Sequence, residues 1–133
     1  MATDTKNFKV SGFTCKHCGK GKDIIDQRVI NITQIIRDEV GVPIRVNSSY
    51  RCDEHNSKVS KVKNSKHTFG QAADLSCSIG ALDLYLAIHK LYVLGKLPDL
   101  DYCIYYPFKN FCHIDCGGKR SKVFANKAVR IWT

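Results

Sequence analysis

The amino-acid sequence predicts an α+β fold in which two main helices pack on a small antiparallel sheet. Two stretches, 23–40 and 79–94, carry apolar residues at helical spacing. The densest strand signals follow the second stretch, so helices and strands do not alternate as they do around a parallel sheet. At 133 residues with 44% hydrophobic residues, the chain suits a single domain, 1–133, that buries its own core.

The N-terminal segment, 1–22, is predicted to form loops and turns because it is polar and contains several glycines. Phe8, Val10 and Phe13 are the side chains of this segment that we expect to pack on the core. No apolar stretch here has the length or flanks of a signal peptide. The sequence therefore predicts a protein that is made in the cytoplasm.

The first helix is predicted over 23–40. Asp23 and Asp26 lie at its start, where acidic side chains interact favourably with the helix dipole. Gly41 and Pro43 follow its last apolar residue and are typical of a helix end. We interpret this helix as a scaffold whose charged residues need no functional role.

The second helix is predicted over 79–94, with Gly95 and Pro98 ending it. Its apolar side is predicted to consist of Leu82, Leu86, Ile88, Leu91 and Val93. Segments rich in β-branched and aromatic residues predict the strands, which are 44–48, 72–76, 102–106, 111–116 and 128–132. Between the first two strands, 52–66 is polar, lacks periodicity and is predicted to be a long exposed loop. Loops of that length inside a compact domain are usually functional.

The net charge of +9 predicts affinity for polyanions such as nucleic acid, acidic cell-wall polymers or an anionic membrane surface. A merely solubilising surface is an equally good interpretation of the charge. No apolar run approaches the roughly 20 residues of a membrane span. The basic residues of the predicted loop are not interleaved with aromatic ones, so we expect no nucleic-acid partner. We expect a monomer.

The seven cysteines cannot all pair within one chain, because their number is odd. Without a secretion signal, free thiols or metal ligands are favoured over a disulfide framework. Cys15 and Cys18 have the spacing of metal ligands and are a possible second metal site, although no second Cys-x-x-Cys supplies its remaining ligands. The alternative is a pair of ordinary thiols in a tight turn. The other cysteines, interpreted as small buried hydrophobic residues, are Cys52, Cys77, Cys103, Cys112 and Cys116.

The strongest chemical signal is His67 and Asp74, which are separated by small residues and can both ligate a divalent metal. Two ligands rarely suffice, and His113 on a later strand is the best candidate for the third. Two histidines and one aspartate leave a fourth position open for water, which is the pattern of a catalytic zinc site. The alternative is that these are polar surface residues.

Asp115 lies two residues after His113, so both side chains are expected on one face of a strand. A carboxylate near the metal can act as the general base of a hydrolysis and later protonate the leaving amine. Arg51 and Tyr50 precede the predicted loop, and either could hold a substrate carboxylate or a developing oxyanion.

Three motifs carry a family resemblance. Ser65-x-His67-x-x-Gly70-x-Ala72-x-Asp74 resembles the signature of the LAS-type zinc peptidases, in the branch of the D-Ala-D-Ala carboxypeptidases and phage endolysins. Ser49-Tyr50-Arg51 followed by His55-Asn56 is similar to that family's Ser-Gly-Tyr-Arg and His-Asn. The segment 105–117, with the closing Arg130-Ile131-Trp132, resembles a murein endopeptidase subgroup.

The resemblance implies a hedgehog-like α+β fold and Zn²⁺ held by His67, Asp74 and His113. It implies roles for Arg51 in supporting the site and for Tyr50 and Ser65 in binding substrate. The reaction implied is hydrolysis of a peptide bond in the stem or cross-bridge of peptidoglycan, by a carboxypeptidase or an endopeptidase. Small size and strong basicity also resemble phage lysis enzymes, which reach the wall after release from the host cytoplasm or with a virion.

The sequence departs from the family pattern at Asn110, where many relatives have the acidic general base three residues before the last histidine. Asp115 is the expected substitute. Ser49 also replaces a usual glycine. The alternative to an active enzyme is therefore a zinc-containing, catalytically weak or inactive module that binds the wall or another protein. A third interpretation, a nucleic-acid zinc module built on Cys15 and Cys18, has the least support.

Overall fold

The computed structural model describes residues 1–60, 65–118 and 123–126. It confirms the α+β class, with three α-helices and a five-stranded sheet within these residues. The helical elements are a short 3-10 helix η1 (Val10–Phe13), α1 (Gln27–Val40), α2 (Asp53–Val59), a second 3-10 helix η2 (Lys66–Phe69) and α3 (Ala81–Val93). The strands are β1 (Ile44–Ser48), β2 (Ala72–Cys77), β3 (Tyr102–Tyr106), β4 (Phe111–Asp115) and β5 (Phe124–Asn126).

The sheet has the strand order β1-β2-β4-β3-β5. Its first four strands pair antiparallel as predicted, whereas β5 runs parallel to β3 and makes the sheet mixed. A three-residue strand has too few positions to show a periodic pattern, and β5 was therefore not predicted. The strand predicted over 128–132 lies outside the described residues.

Helix α1 begins four residues later than predicted, at Gln27. Asp26 is its N-cap, and its carboxylate accepts the backbone N–H of Arg28 at 2.9 Å and also pairs with the Arg28 guanidinium. Asp23 lies before the helix, where the chain turns through Gly21. The helix ends as predicted, because Gly41 takes the left-handed conformation and donates its N–H to the carbonyl of Arg37.

We expect Asp26→Ala to lower the free energy of unfolding by about 1 kcal/mol, the usual effect of losing an N-cap. The contact with Arg28 lowers the pKa of the Asp26 carboxyl in the folded protein. A lowered pKa stabilises the fold above the carboxyl's unfolded value, near pH 4, and this contribution is lost as the pH falls. Urea titrations should therefore show a difference between wild type and variant at pH 7 that narrows below pH 4. Asp23→Ala, an exposed neighbour, is the matched control and should change little.

Helix α2 occupies part of the segment that was predicted to be a loop, so that prediction was wrong for Asp53–Val59. The sulfur of Cys52 caps the helix by accepting the N–H of His55, and Glu54 and Lys58 form an i, i+4 ion pair on its surface. Asn56 is its buried residue. With a polar residue on its inner side, the helix has no apolar periodicity by which the sequence could reveal it.

Helix α3 lies close to its predicted bounds, but the face it buries matches the predicted apolar side only in part. On the predicted apolar side, Ile88 and Leu91 are buried, but Leu82, Leu86 and Val93 are exposed. Leu84, which was not predicted on that side, is buried. The helix is apolar on nearly all sides, so its sequence does not specify which face meets the sheet.

The hydrophobic core lies between the sheet and the helices α1 and α3, and the N-terminal segment adds Phe8, Val10 and Phe13 to it as predicted. Within the described residues, no helix is both long and apolar enough to cross a membrane.

Candidate metal centre and cleft

The register of the sheet brings two of the predicted ligands together. Asp74 on β2 lies directly opposite His113 on β4, and the two side chains emerge on the same face. The Nδ1 atom of His113 is 3.0 Å from Oδ1 of Asp74. These residues are 39 positions apart in the chain, so it is strand pairing that makes them neighbours.

His67 reaches the same point from η2. Ser65 caps this short helix by accepting the backbone N–H of His67, and the carbonyl of His67 accepts the N–H of Arg51. The side chain of His67 is 2% exposed, and its Nε2 lies 3.3 Å from Oδ1 of Asp74. The potential donor atoms of His67, Asp74 and His113 all lie within 4.8 Å of one another. Convergence of these three side chains, predicted from the sequence, is therefore present.

In His67 and His113, the outer ring nitrogen, which is the one that faces away from Asp74, also has a hydrogen-bond partner. Nδ1 of His67 lies 2.7 Å from the carbonyl oxygen of Ser49, to which it donates. Nε2 of His113 lies 2.8 Å from Oδ2 of Asp115, to which it donates. These contacts fix the ring orientations and direct the remaining nitrogen of each histidine toward Asp74. Metal-ligating histidines in proteins are typically held this way, so the donor set fits a divalent metal such as zinc.

The electrostatics of the three side chains differ. Burial opposes ionisation of Asp74, but the contacts with His113 and His67 outweigh it and leave the pKa of Asp74 below its usual value. Burial lowers the pKa of His67, so this imidazole is neutral at pH 7. Burial acts the same way on His113, but its contacts with Asp115 and Asp74 raise its pKa to about 9. Without a metal, the cluster is thus one carboxylate beside one imidazolium and one neutral imidazole.

A comparison with known protein families is consistent with a metal site formed by these residues. The sequence model of the family described as Peptidase M15 matches residues 6–115, which is most of the chain. The chain belongs to the peptidase M15 family. The M15 match confirms the resemblance to LAS-type zinc peptidases and covers all three converging residues. The chain is accordingly a member of a metallopeptidase family. No curated protein matches it.

The cluster lies in the wall of a cleft of about 620 Å³. Arg51 and Ser65, both predicted to contact substrate, line this cleft together with His67, Asp74 and His113. Nε of Arg51 is buried and has no hydrogen-bond partner within the described part of the chain. Tyr50 does not line the cleft: its ring covers Gly21 and packs against the core.

Further cleft residues were missed by the sequence reasoning. Tyr102, Ile104 and Tyr106 alternate along β3 on the face that carries His113 on the neighbouring strand, and all three line the cleft. Phe111 stacks on Tyr106 with ring centroids 4.7 Å apart. The period-two alternation of β3 is visible in the sequence, but only its pairing with β4 shows that this face meets the metal cluster.

Asp115 is 1% exposed and contacts His113 at the nitrogen that points away from Asp74. Its role as general base stays a prediction, and the contact gives it a second candidate role, which is to orient His113. Asn110 lies in the turn between β3 and β4 with a φ of 56°, and its side chain accepts the N–H of Ala81 at the start of α3. Asn110 therefore has a place in the fold and does not line the cleft.

Gly70 ends η2 in the left-handed conformation, at a φ of 68°. A Cβ atom there would lie 2.5 Å from the carbonyl oxygen of Ile24. We expect Gly70→Ala to lower the free energy of unfolding by more than the roughly 1–2 kcal/mol of a left-handed alanine, and to weaken metal binding by displacing His67. Urea titration and zinc competition assays measure the two effects. Gly41→Ala is the control, because it has the same φ with open space around it and should show the conformational cost alone.

The predicted pair Cys15 and Cys18 lies outside the lining of the cleft. The structure places Cys52 beside this pair, with the three sulfur atoms within 4.8 Å of one another. The interpretation of Cys52 as a buried hydrophobic residue was therefore wrong. Burial raises the pKa of Cys15, but backbone N–H groups of Cys52, Cys18 and His17 outweigh it and bring the pKa to about 6. Cys103, Cys112 and Cys116 are buried as predicted, and Cys77 is partly exposed.

Proposed function

We propose that the protein is a zinc peptidase that hydrolyses a peptide bond in the stem or cross-bridge peptides of peptidoglycan. The observation that carries the proposal is the cluster of His67, Asp74 and His113. In this cluster, the ring nitrogen of each histidine that faces away from Asp74 already forms a hydrogen bond within the protein. A site prepared in this way binds metal with little rearrangement. Family membership supports hydrolysis of a peptide bond.

The chemistry that zinc supplies when bound is Lewis-acid polarisation of the scissile carbonyl and activation of water. The protein's own residues bind and orient the substrate. Arg51 lies in the cleft wall, and its buried Nε supports a role in binding a carboxylate or the carbonyl oxygen under attack. The stacked rings of Tyr106 and Phe111 offer an apolar surface for the peptide backbone and its small side chains.

The charge of the cleft supports an anionic peptide as substrate. Lys66 and Lys109 line the cleft together with Arg51. Peptidoglycan stem peptides carry free carboxylates, and the wall polymers around them are anionic, so the overall charge of +9 would also concentrate the protein at the wall. We propose a phage endolysin-like role on this basis.

Few groups in the cleft could accept a proton during the reaction. Asp74 and Asp115 are the carboxylates among the lining residues that the structure describes. Asp74 contacts both histidines, whereas Asp115 contacts His113 alone among them, so Asp115 is the candidate general base in addition to its candidate role in orienting His113.

The test is digestion of purified peptidoglycan by the zinc-loaded protein, followed by mass spectrometry of the muropeptides and measurement of new amines. We expect wild type to release amines and to yield defined muropeptides, whose masses distinguish a carboxypeptidase from an endopeptidase. His67→Ala should release none, and His89→Ala, a histidine that packs on Phe124 away from the cleft, should behave as wild type. Metal-loaded wild type that produces no new amines from walls of several cross-link types would contradict the proposal.

A second candidate function is a zinc-containing module that binds the wall or a protein without cleaving it. Asn110 favours it, because the position that is acidic in many similar peptidases here carries an amide engaged with Ala81. This candidate predicts full metal occupancy and salt-sensitive sedimentation with wall, without release of amines.

A further inference from the structure

The three-cysteine cluster lies where two separate parts of the chain meet. Cys15 and Cys18 belong to the turn after η1, and Cys52 is the N-cap of α2. The sulfur atoms of Cys15 and Cys52 are 3.7 Å apart. Two thiolates bound to one tetrahedral zinc, each at about 2.3 Å, lie about 3.8 Å apart. The protein therefore already holds these sulfurs at the separation that a shared zinc ion requires.

Two histidines adjoin the cluster and could complete it. Nδ1 of His55 lies 3.8 Å from the sulfur of Cys15, and Nδ1 of His17 lies 3.7 Å from the sulfur of Cys52. His55 is partly buried, whereas His17 is exposed. His55 also gives the second half of the cluster, Cys52-x-x-His55, the same spacing as Cys15-x-x-Cys18. Paired ligands at this spacing are typical of structural zinc sites.

The backbone around the cluster is arranged for thiolate sulfur. The N–H of Cys52 donates to the sulfur of Cys15 at 3.5 Å, and the N–H of His55 donates to the sulfur of Cys52 at 3.4 Å. The chain between Cys15 and Lys20 forms a closed turn, with the N–H of Gly19 donating to the carbonyl of Cys15 and the N–H of Cys15 to the carbonyl of Lys20. The N–H groups of Cys52 and His55, which donate to sulfur, stabilise negative charge on the sulfurs of Cys15 and Cys52.

We propose that Cys15, Cys18, Cys52 and His55 bind a structural zinc ion, separate from the metal site in the cleft. Three thiolates and one imidazole close a tetrahedral site and leave no position for water or substrate. The ion would tie the N-terminal segment to the start of α2. Since Arg51 and His55 both line the cleft, it would also fix one cleft wall.

The first test counts zinc in the full chain, purified under reducing, anaerobic conditions. Wild type should contain two zinc ions per chain, and Cys52→Ser should contain one. Cys77→Ser removes a partly exposed thiol outside the cluster and should keep two. His55→Ala should release the second zinc more readily than His17→Ala, and the reverse order would overturn the assignment of His55. A Cys52→Ser variant that keeps two zinc ions overturns the proposal.

The second test uses wild type alone, so it does not depend on whether a variant folds. Cobalt substituted for zinc should give the intense near-ultraviolet absorption of cobalt bound to thiolates, which the nitrogen and oxygen ligands of the cleft site cannot produce. Cys18 is exposed, yet it should resist alkylation until a chelator is added. Absence of the thiolate band, rapid alkylation of Cys18 in the zinc-loaded protein, or a native mass two hydrogens lower than that of the reduced protein, which marks a disulfide, would each overturn the proposal.

Discussion

Asp74→Asn is expected to remove metal from the cleft and to reduce peptidase activity to the level of wild-type protein from which a chelator has removed the metal. Both histidines contact the same oxygen of Asp74, so this carboxylate is the centre of the cluster. An asparagine has the same size but no charge, and a neutral amide is a poor ligand for zinc compared with a carboxylate. The measurements are zinc content per chain and amine release from peptidoglycan.

The fold should survive this substitution better than Asp74→Ala, because the amide oxygen can still accept a hydrogen bond from His113. Asp83→Asn makes the same chemical change on the exposed side of α3 and should leave zinc content and activity unchanged. Full zinc occupancy of the cleft site with undiminished activity in Asp74→Asn would show that the metal is held elsewhere, which would contradict the proposed centre.

Asp115→Asn separates two roles for the buried carboxylate beside His113. If Asp115 orients His113, the variant should bind zinc about 10–100-fold more weakly but regain most of its activity when zinc is saturating. If Asp115 is the general base, zinc affinity should change little while turnover falls about 100–10,000-fold at saturating zinc. The 2.8 Å contact with the outer nitrogen of His113 leads us to expect the first pattern.

The measurements are zinc competition with a chromophoric chelator and initial rates of peptidoglycan digestion across a range of zinc concentrations. Asp101→Asn is the matched control, because Asp101 lies beside the same strand and its carboxylate accepts the N–H of Gly118 without contacting His113. Should Asp101→Asn lose zinc to the same degree as Asp115→Asn, local damage to the sheet would explain both effects and the orienting role would be rejected.

Much of the fold was predictable because its signals are local. The bounds of β1, β3 and the end of α1 at Gly41 follow from residue type and from one left-handed glycine. The failures have a common cause. Helix α2 has a cap and a buried Asn56 but no apolar periodicity, and β5 is held by pairing with β3 and by packing of Phe124 on α3. Neither depends on a pattern that a short window of sequence contains.

The sequence by itself determined the fold class, most of the strands and the three residues of the proposed metal centre, because His67, Asp74 and His113 lie in a specific motif. Tertiary structure decided what surrounds them. The register of β2 against β4 places Asp74 opposite His113, and the fold directs Asp115 to the outer side of that ring. Packing of α2 against the N-terminal turn brings Cys52 to Cys15. These contacts join residues that the sequence separates widely, and only the pairing of strands and the packing of helices determine which of them meet.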